Sequence, residues 1–320
     1  MIKTIRAFCL SVLAAYMAPG CSSDDTPPIP VAAQSPTDES LAGFYVVRRA
    51  TTTLGAETRD LLPGFGFEIK RVAFVGGVKA GVSRLGQFIP FADVSRVKPA
   101  SFRGVKDPDP ALRIGFVIRA NAPVRAQPSA GATVVARLPK LATINLVSRD
   151  GPTGFYATSS GWVAAPDLRV ATPALPPAGV SGNETWIDID LQTQTLVMYA
   201  GIRPTYATLI SGGVGEPGTA FATPLGVHRI VAKLWSATMD NLEHTNVVPY
   251  HYESVPFTQY IGRVALHGVF WHDDFGRPKS HGCINLSLAD AAYLFDHTAP
   301  ALSAATESIR GDRGTIVQVR

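Results

Sequence analysis

Turn-forming residues leave this chain little room for long regular elements. Its 320 residues include 29 glycines and 25 prolines, and the apolar runs between them are short. With few runs of Leu, Glu and Lys, that punctuation predicts a mainly β protein rather than a helical one. The length allows two or three domains, each able to bury a core.

The start, "MIKTIRAFCLSVLAAYMAPGCSSDD", has an export layout. Lys3 and Arg6 form a charged end, Ala7 to Ala18 an apolar core too short for a permanent membrane span, and small residues lead to Cys21. A cysteine after Gly20 resembles the lipoprotein signal, which implies that residues 1–21 are a leader and that Cys21 is acylated. Plain secretion and a retained anchor are the alternatives. "SSDDTPPIPVAAQSPTDES" then reads as a flexible tether over 22–41. The expected location is the cell envelope or periplasm, with the membrane reached through the Cys21 lipid. Without Lys3 and Arg6 the chain has 27 basic against 25 acidic residues, +2, and no basic run interleaves with aromatics. That balance argues against a nucleic-acid partner.

Two stretches are alike at an offset of 74 residues: Phe88, Ile89, Asp93 and Val94 match Trp162, Val163, Asp167 and Leu168. Each closes one expected β unit, over 42–105 and 110–172. In the second, apolar runs alternate with Pro, Gly and Asn turns, as in a small barrel. Its "VRAxPS" opening and "GWV" closing resemble the bacterial SH3-like domain, which implies either a wall- or peptide-binding module or a spacer.

"ATPALPPAGVSGNE", 171–184, reads as a linker. The domain 183–320 opens on "WIDIDLQTQTLVMYAG", where Trp186, Asp188 and Asp190 alternate with Ile187, Ile189 and Leu191. That is the period of a half-buried strand, with a hairpin partner at Leu196 to Tyr199. "TYATLI" and "HRIVAKLW" are further strands, and "TIVQV" at 315–319 closes the domain. A helix starts at Ser287, with Asp290 as its capping-box partner and Leu288, Ala291, Ala292 and Phe295 as its apolar face.

Two motifs compete for attention. Gly213, Gly215 and Gly218 spell G-x-G-x-x-G, but Thr223-Pro224 disfavours the helix that a dinucleotide site needs, so a flexible loop is expected. His267, His272, His281 and Cys283, with Asp273 and Asp274, could ligate zinc, yet no C-x-x-C or H-E-x-x-H spacing occurs. His272 reads as a surface histidine.

"RPKSHGCINLS" carries the chemistry. With Cys9 in the leader and Cys21 lipidated, Cys283 is the one thiol of the folded body. A thiol attacks carbonyls as the thiolate, so it needs a base beside it. His281 is two residues away. His267 ends the apolar run "ALHGVFW", and a 12-residue loop, Gly268 to Lys279, returns the chain to Ser280. Gly282 permits close backbone approach, and its N–H with that of Cys283 could hold an oxyanion; losing one such donor costs ~3 kcal/mol. Asn285 can brace the turn.

The stretch "ALHGVFWHDDFGRPKSHGCINLSLADAAYLF" resembles the signature of the L,D-transpeptidase catalytic (YkuD-like) domain: a histidine, a loop, then Ser-His-Gly-Cys, an apolar residue and Asn. "SGGVGEPGTAFATPLGVHRI" resembles the same family's small-residue loop and following strand, with His228 where Phe is common. The resemblance covers about 183–320. It implies a β-sandwich with one or two short helices, preceded here by the SH3-like units, and neither cofactor nor metal. It further implies that Cys283 is the nucleophile and His267 the base, oriented by the Gly268 carbonyl. By the same resemblance His281 and Gly282 shape the oxyanion site, Ser280 and Asn285 hold the turn and contact substrate, and Trp271 and Tyr250 line the cleft. Trp271 reads equally well as a loop anchor. The implied reaction is transfer of a peptidoglycan tetrapeptide stem, less its D-alanine, to an amine of another stem, of an anchored wall protein or of a free D-amino acid, with acylation by carbapenems. A thiol carboxypeptidase or wall-peptide hydrolase, and a non-catalytic wall-binding lipoprotein, are the alternatives.

Overall fold

The architecture follows from strands that are buried on both faces. A computed structural model describes residues 39–148, 154–243 and 247–320. The expected leader with Cys9 and Cys21, and most of the expected tether, lie outside the described residues. The protein is mainly β, with one α-helix, Leu288–His297, among the described residues. None of the described helices is long and apolar enough to cross a membrane.

Six strands form the first sheet of the C-terminal region, in the order Gly226–Arg229, Ile316–Val319, Thr185–Asp190, Thr195–Ala200, Arg203–Leu209 and Val105–Lys106. Thr185–Asp190 pairs antiparallel with Thr195–Ala200 and parallel with the closing strand Ile316–Val319. The alternation along Thr185–Asp190 predicts a wet face, but every residue from Trp186 to Asp190 is buried. Ile187 and Ile189 enter one core with Leu266, Ile284, Leu286 and helix residues Ala291 and Leu294. Trp186 enters a second core with Phe116, Ile118, Tyr199 and Phe275. The upstream chain covers the face expected to be wet. Asp188 and Asp190 tolerate burial because Arg320 reaches both carboxylates, at 2.9 and 3.1 Å.

The expected single strand "HRIVAKLW" is two. Ile230 and Val231 separate Gly226–Arg229, in the first sheet, from Ala232–Asp240, in the second. Ala232–Asp240 and His251–Tyr260 form a long hairpin. Ala265–Gly268 pairs antiparallel with the end of His251–Tyr260, and Ile284–Leu286 lies parallel beside it. The sheet runs on into upstream strands through a parallel bridge between Tyr252 and Gly66, and the ring of Phe44 stacks on Phe270 at 4.3 Å.

The 74-residue offset is repeated in local structure. Phe88–Pro90, the 3-10 turn Phe91–Asp93 and Val94–Arg96 correspond to Gly161–Ala164, the turn Ala165–Asp167 and Leu168–Val170. Asp93 holds Arg49, and Asp167 holds Arg119. Residues 114–170 form two small sheets around Val117, Ala122, Val124, Val163 and Leu168.

Ser287 caps the helix as expected, its Oγ accepting the Asp290 N–H at 3.1 Å. The buried face is turned from the expected one: Asp290, Ala291, Leu294 and Phe295 are buried, while Leu288 and Ala292 are half-buried. The reason is Asp290, whose carboxylate accepts from Gly104 N–H at 2.7 Å, Tyr206 OH at 2.6 Å and Thr208 Oγ1 at 2.7 Å. Burial pushes its pKa up, and these donors pull the other way. Asp290→Ala would strand three donors, each costing about 1–3 kcal/mol when buried and unsatisfied. A loss of roughly 3–5 kcal/mol is expected in urea unfolding, and one below about 1 kcal/mol would contradict this role.

Candidate active site

Two short parallel strands bring the site together. Leu266 pairs with Ile284, His267 with Asn285 and Gly268 with Leu286. Leu266, Ile284 and Leu286 face the core, so the period of two places His267 and Asn285 together on the opposite face. Continuing the register one step sets Cys283 opposite Ala265, whose N–H faces the sulfur. His267 and Cys283 are therefore diagonal neighbours across a parallel pair, delivered by segments that the sequence separates by a loop.

His267 is 2% exposed, and its Nδ1 lies 3.2 Å from the Gly268 carbonyl oxygen. That acceptor fixes the proton on Nδ1 and leaves the Nε2 lone pair available. Burial pulls the imidazole pKa down to about 4, slightly opposed by the Gly268 carbonyl. Burial also pushes the half-exposed Cys283 thiol up, partly offset by the Ala265 N–H. At neutral pH the thiol and the imidazole that share this face are thus both uncharged. Such a pair forms the thiolate only as the imidazole takes the proton.

Ser280 organises the turn before Cys283. Its Oγ accepts the Gly282 N–H at 3.1 Å and donates to the Cys283 carbonyl. Of the two N–H groups expected to hold an oxyanion, that of Gly282 is thus engaged by Ser280, while that of Cys283 makes no backbone hydrogen bond among the described residues. Gly282 has φ +114°, and an added Cβ would meet the Ala222 carbonyl oxygen at 3.1 Å, so the turn requires glycine. Thr223 locks it from the other side, with Oγ1 donating to Gly282 O and accepting from Gly213 N–H, both at 2.9 Å. The G-x-G-x-x-G segment packs here against Ser280 through Val214 N–H, and no helix follows it.

Rings line one side. Trp271 stacks on Tyr252 at 3.7 Å, Tyr252 on Tyr250 at 6.0 Å, and Tyr250 on the exposed His281 at 5.0 Å, with the Phe221 edge closing at 4.8 Å. Trp271 lies 6.1 Å from His267. Tyr252 and Phe221 were not singled out from sequence, although Tyr250 and Tyr252, two apart on one strand face, carried that signal.

His272 also differs from expectation. It is half-buried, with Nδ1 accepting the Asp274 N–H at 3.2 Å and Nε2 2.9 Å from the Asn285 amide. Burial pulls its pKa down to about 4. With His272 engaged this way, no group of three or more His, Cys, Asp or Glu side chains among the described residues is arranged to hold a metal ion. A groove of about 240 Å³ lined by Thr53, Glu57, Leu85 and Phe88 shares no residue with the cysteine site.

Residues 184–319, less than half of the chain, match the model of the L,D-transpeptidase catalytic domain. A mutant Enterococcus faecium L,D-transpeptidase is 26% identical, with 43% of this chain and 50% of that one covered, at a TM-score of 0.33. The NMR structure of the catalytic domain of the E. faecium enzyme acylated by ertapenem is 25% identical over 44% of this chain and 100% of that one, at 0.33. An L,D-transpeptidase from Mycobacterium smegmatis is 20% identical over 55% and 82%, also at 0.33. The chain spans about half the length of the first of these. No curated protein matches.

Proposed function

We propose that a chain whose residues 184–319 match the L,D-transpeptidase catalytic domain acts as a peptidoglycan L,D-transpeptidase, with Cys283 as nucleophile and His267 as base. The observation that supports the reading is the strand register, which sets the carbonyl-oriented His267 opposite Asn285, with Cys283 two residues before Asn285 on the same face. Cys283 Sγ attacks the carbonyl carbon joining the third stem residue to terminal D-alanine, while His267 Nε2 takes the thiol proton. The oxyanion forms near the Cys283 N–H. On collapse the C–N bond breaks, and the imidazolium protonates the departing D-alanine amine. An acceptor amine then attacks the thioester, gives its surplus proton to His267, and expels the sulfur, which is reprotonated. Each half-reaction leaves the imidazole neutral, and the second restores the resting thiol.

The aromatic band from Trp271 to Phe221 offers faces on which a stem peptide or sugar can lie. In this reading the protein works outside the cytoplasm, tethered through a Cys21 lipid, and the upstream β units, SH3-like by resemblance, support the catalytic region. The test is product analysis with purified tetrapeptide muropeptides. Release of D-alanine with a 3–3 cross-linked dimer is expected. Release of D-alanine with tripeptide alone would replace transferase with hydrolase. No release would overturn catalysis and favour a wall-binding protein.

A further inference from the structure

The loop from Gly268 to Lys279 is held from two directions. On the inner side Ser211 gathers it: its Oγ donates to the Asp274 carbonyl at 2.9 Å, and its backbone exchanges hydrogen bonds with Asn285 at 2.9 and 3.0 Å. His272 closes the ring of contacts, accepting the Asp274 N–H at Nδ1 and meeting the Asn285 amide at Nε2. A neutral imidazole whose Nδ1 accepts must carry its proton on Nε2. Asn285 Nδ2 is the amide atom placed 2.9 Å from His272 Nε2, and turning the amide over sets its oxygen there to accept the Nε2–H, the orientation this hydrogen-bond network selects. Asn285 is in register with His267 and two residues from Cys283.

On the outer side the upstream β unit grips the same loop. Lys140 Nζ reaches Asp273 at 2.8 Å and Asp274 at 3.2 Å. Arg169 Nε donates to the Gly276 carbonyl at 2.9 Å. The connection runs from Lys140 through Asp274 and His272 to Asn285, beside the reacting pair.

We propose that His272 is a positioning residue for the Cys283 reaction, and that the 114–170 unit holds it in place through Lys140. This rests on Cys283 and His267 performing the chemistry proposed above. His272 acts through Asn285: it keeps the Cys283 strand end and the His267 strand in register as the sulfur attacks. Displacements near 1 Å in such a pair cost about 10²-fold in rate.

The test measures the first-order acylation rate constant of the full chain by a carbapenem, followed by intact mass and normalised to titrated thiol. His272→Phe keeps ring volume without hydrogen bonds, and His272→Gln restores a donor toward Asn285. Expected is a roughly 10- to 100-fold lower rate constant for His272→Phe, with the concentration for half-saturation changed less than about twofold. Recovery to within about fivefold of wild type is expected for His272→Gln. Lys140→Met should slow the same step about threefold with little change in melting temperature, because a partly exposed ion pair contributes little stability. Combined with His272→Phe it should add almost nothing, as expected along one pathway. A merely structural role would lower the melting temperature and the active fraction but not the rate per titrated thiol. A wild-type rate in His272→Phe overturns the inference while leaving the proposed function intact. Should His272→Phe not fold, an unchanged rate in Lys140→Met overturns it instead. A wild-type chain that forms no adduct and turns over no muropeptide removes both.

Discussion

Cys283→Ala is expected to abolish both D-alanine release and cross-link formation while leaving the fold in place. No other thiol lies in the described residues, so nothing substitutes for the sulfur. The side chain is half-buried and packs at the edge of the core, so removing the sulfur should cost about 1–2 kcal/mol at most. Melting temperature separates loss of chemistry from loss of structure. A Cys283→Ala protein retaining more than about a hundredth of wild-type turnover would contradict nucleophilic catalysis by this residue, since nucleophile removal typically costs far more.

His267→Gln is the second large effect. General base catalysis contributes about 10²–10⁴-fold, and the loss should fall in that range because the resting thiol is not ionised without it. The wild-type pH profile follows from the same electrostatics. His267 remains an unprotonated base until the pH approaches about 4, so the acid limb of kcat/KM should lie near that value rather than near 6.5. On the alkaline side the raised thiol pKa keeps the rate nearly level through neutrality. Stability follows with a definite sign. The folded imidazole titrates near 4 and the unfolded one near 6.5, so the unfolded chain takes up the proton first on acidification. The contribution is complete above about 6.5 and disappears as pH falls to about 4, a change of roughly 3 kcal/mol. His267→Gln should flatten both the acid limb of the rate and this part of the stability curve. An acid limb near 6.5 would mean that His267 is more solvated than its burial implies.

The cysteine turn was legible in sequence because its parts are local. Ser280, Gly282, Cys283 and Asn285 lie within six residues, and their backbone requirements fall on short-range hydrogen bonds. His267 was legible as the end of an apolar run. The Gly282 N–H was assigned to the oxyanion because its competitor, a serine hydroxyl two residues back, depends on a rotamer that sequence does not fix. The remaining misses are long-range. Trp186 is dry because Phe116 and Ile118 cover it from about seventy residues upstream. His272 is drawn inward by Asn285 and by a loop that Lys140 holds from 133 residues away. The helix face turns because Asp290 finds Gly104, Tyr206 and Thr208. Periodicity shows which residues share a face, but not whether another segment covers it.

Peptide mapping of the wild-type protein trapped during turnover tests the account most directly. After a short reaction with a tetrapeptide stem, acid quenching and trypsin, the fragment 280–310, whose only thiol is Cys283, should carry the mass of the stem less D-alanine. Hydroxylamine should remove that mass, as expected of a thioester. An adduct on any other fragment, or turnover with no adduct on this one, would contradict the claim that Cys283, activated by His267, is the reacting atom.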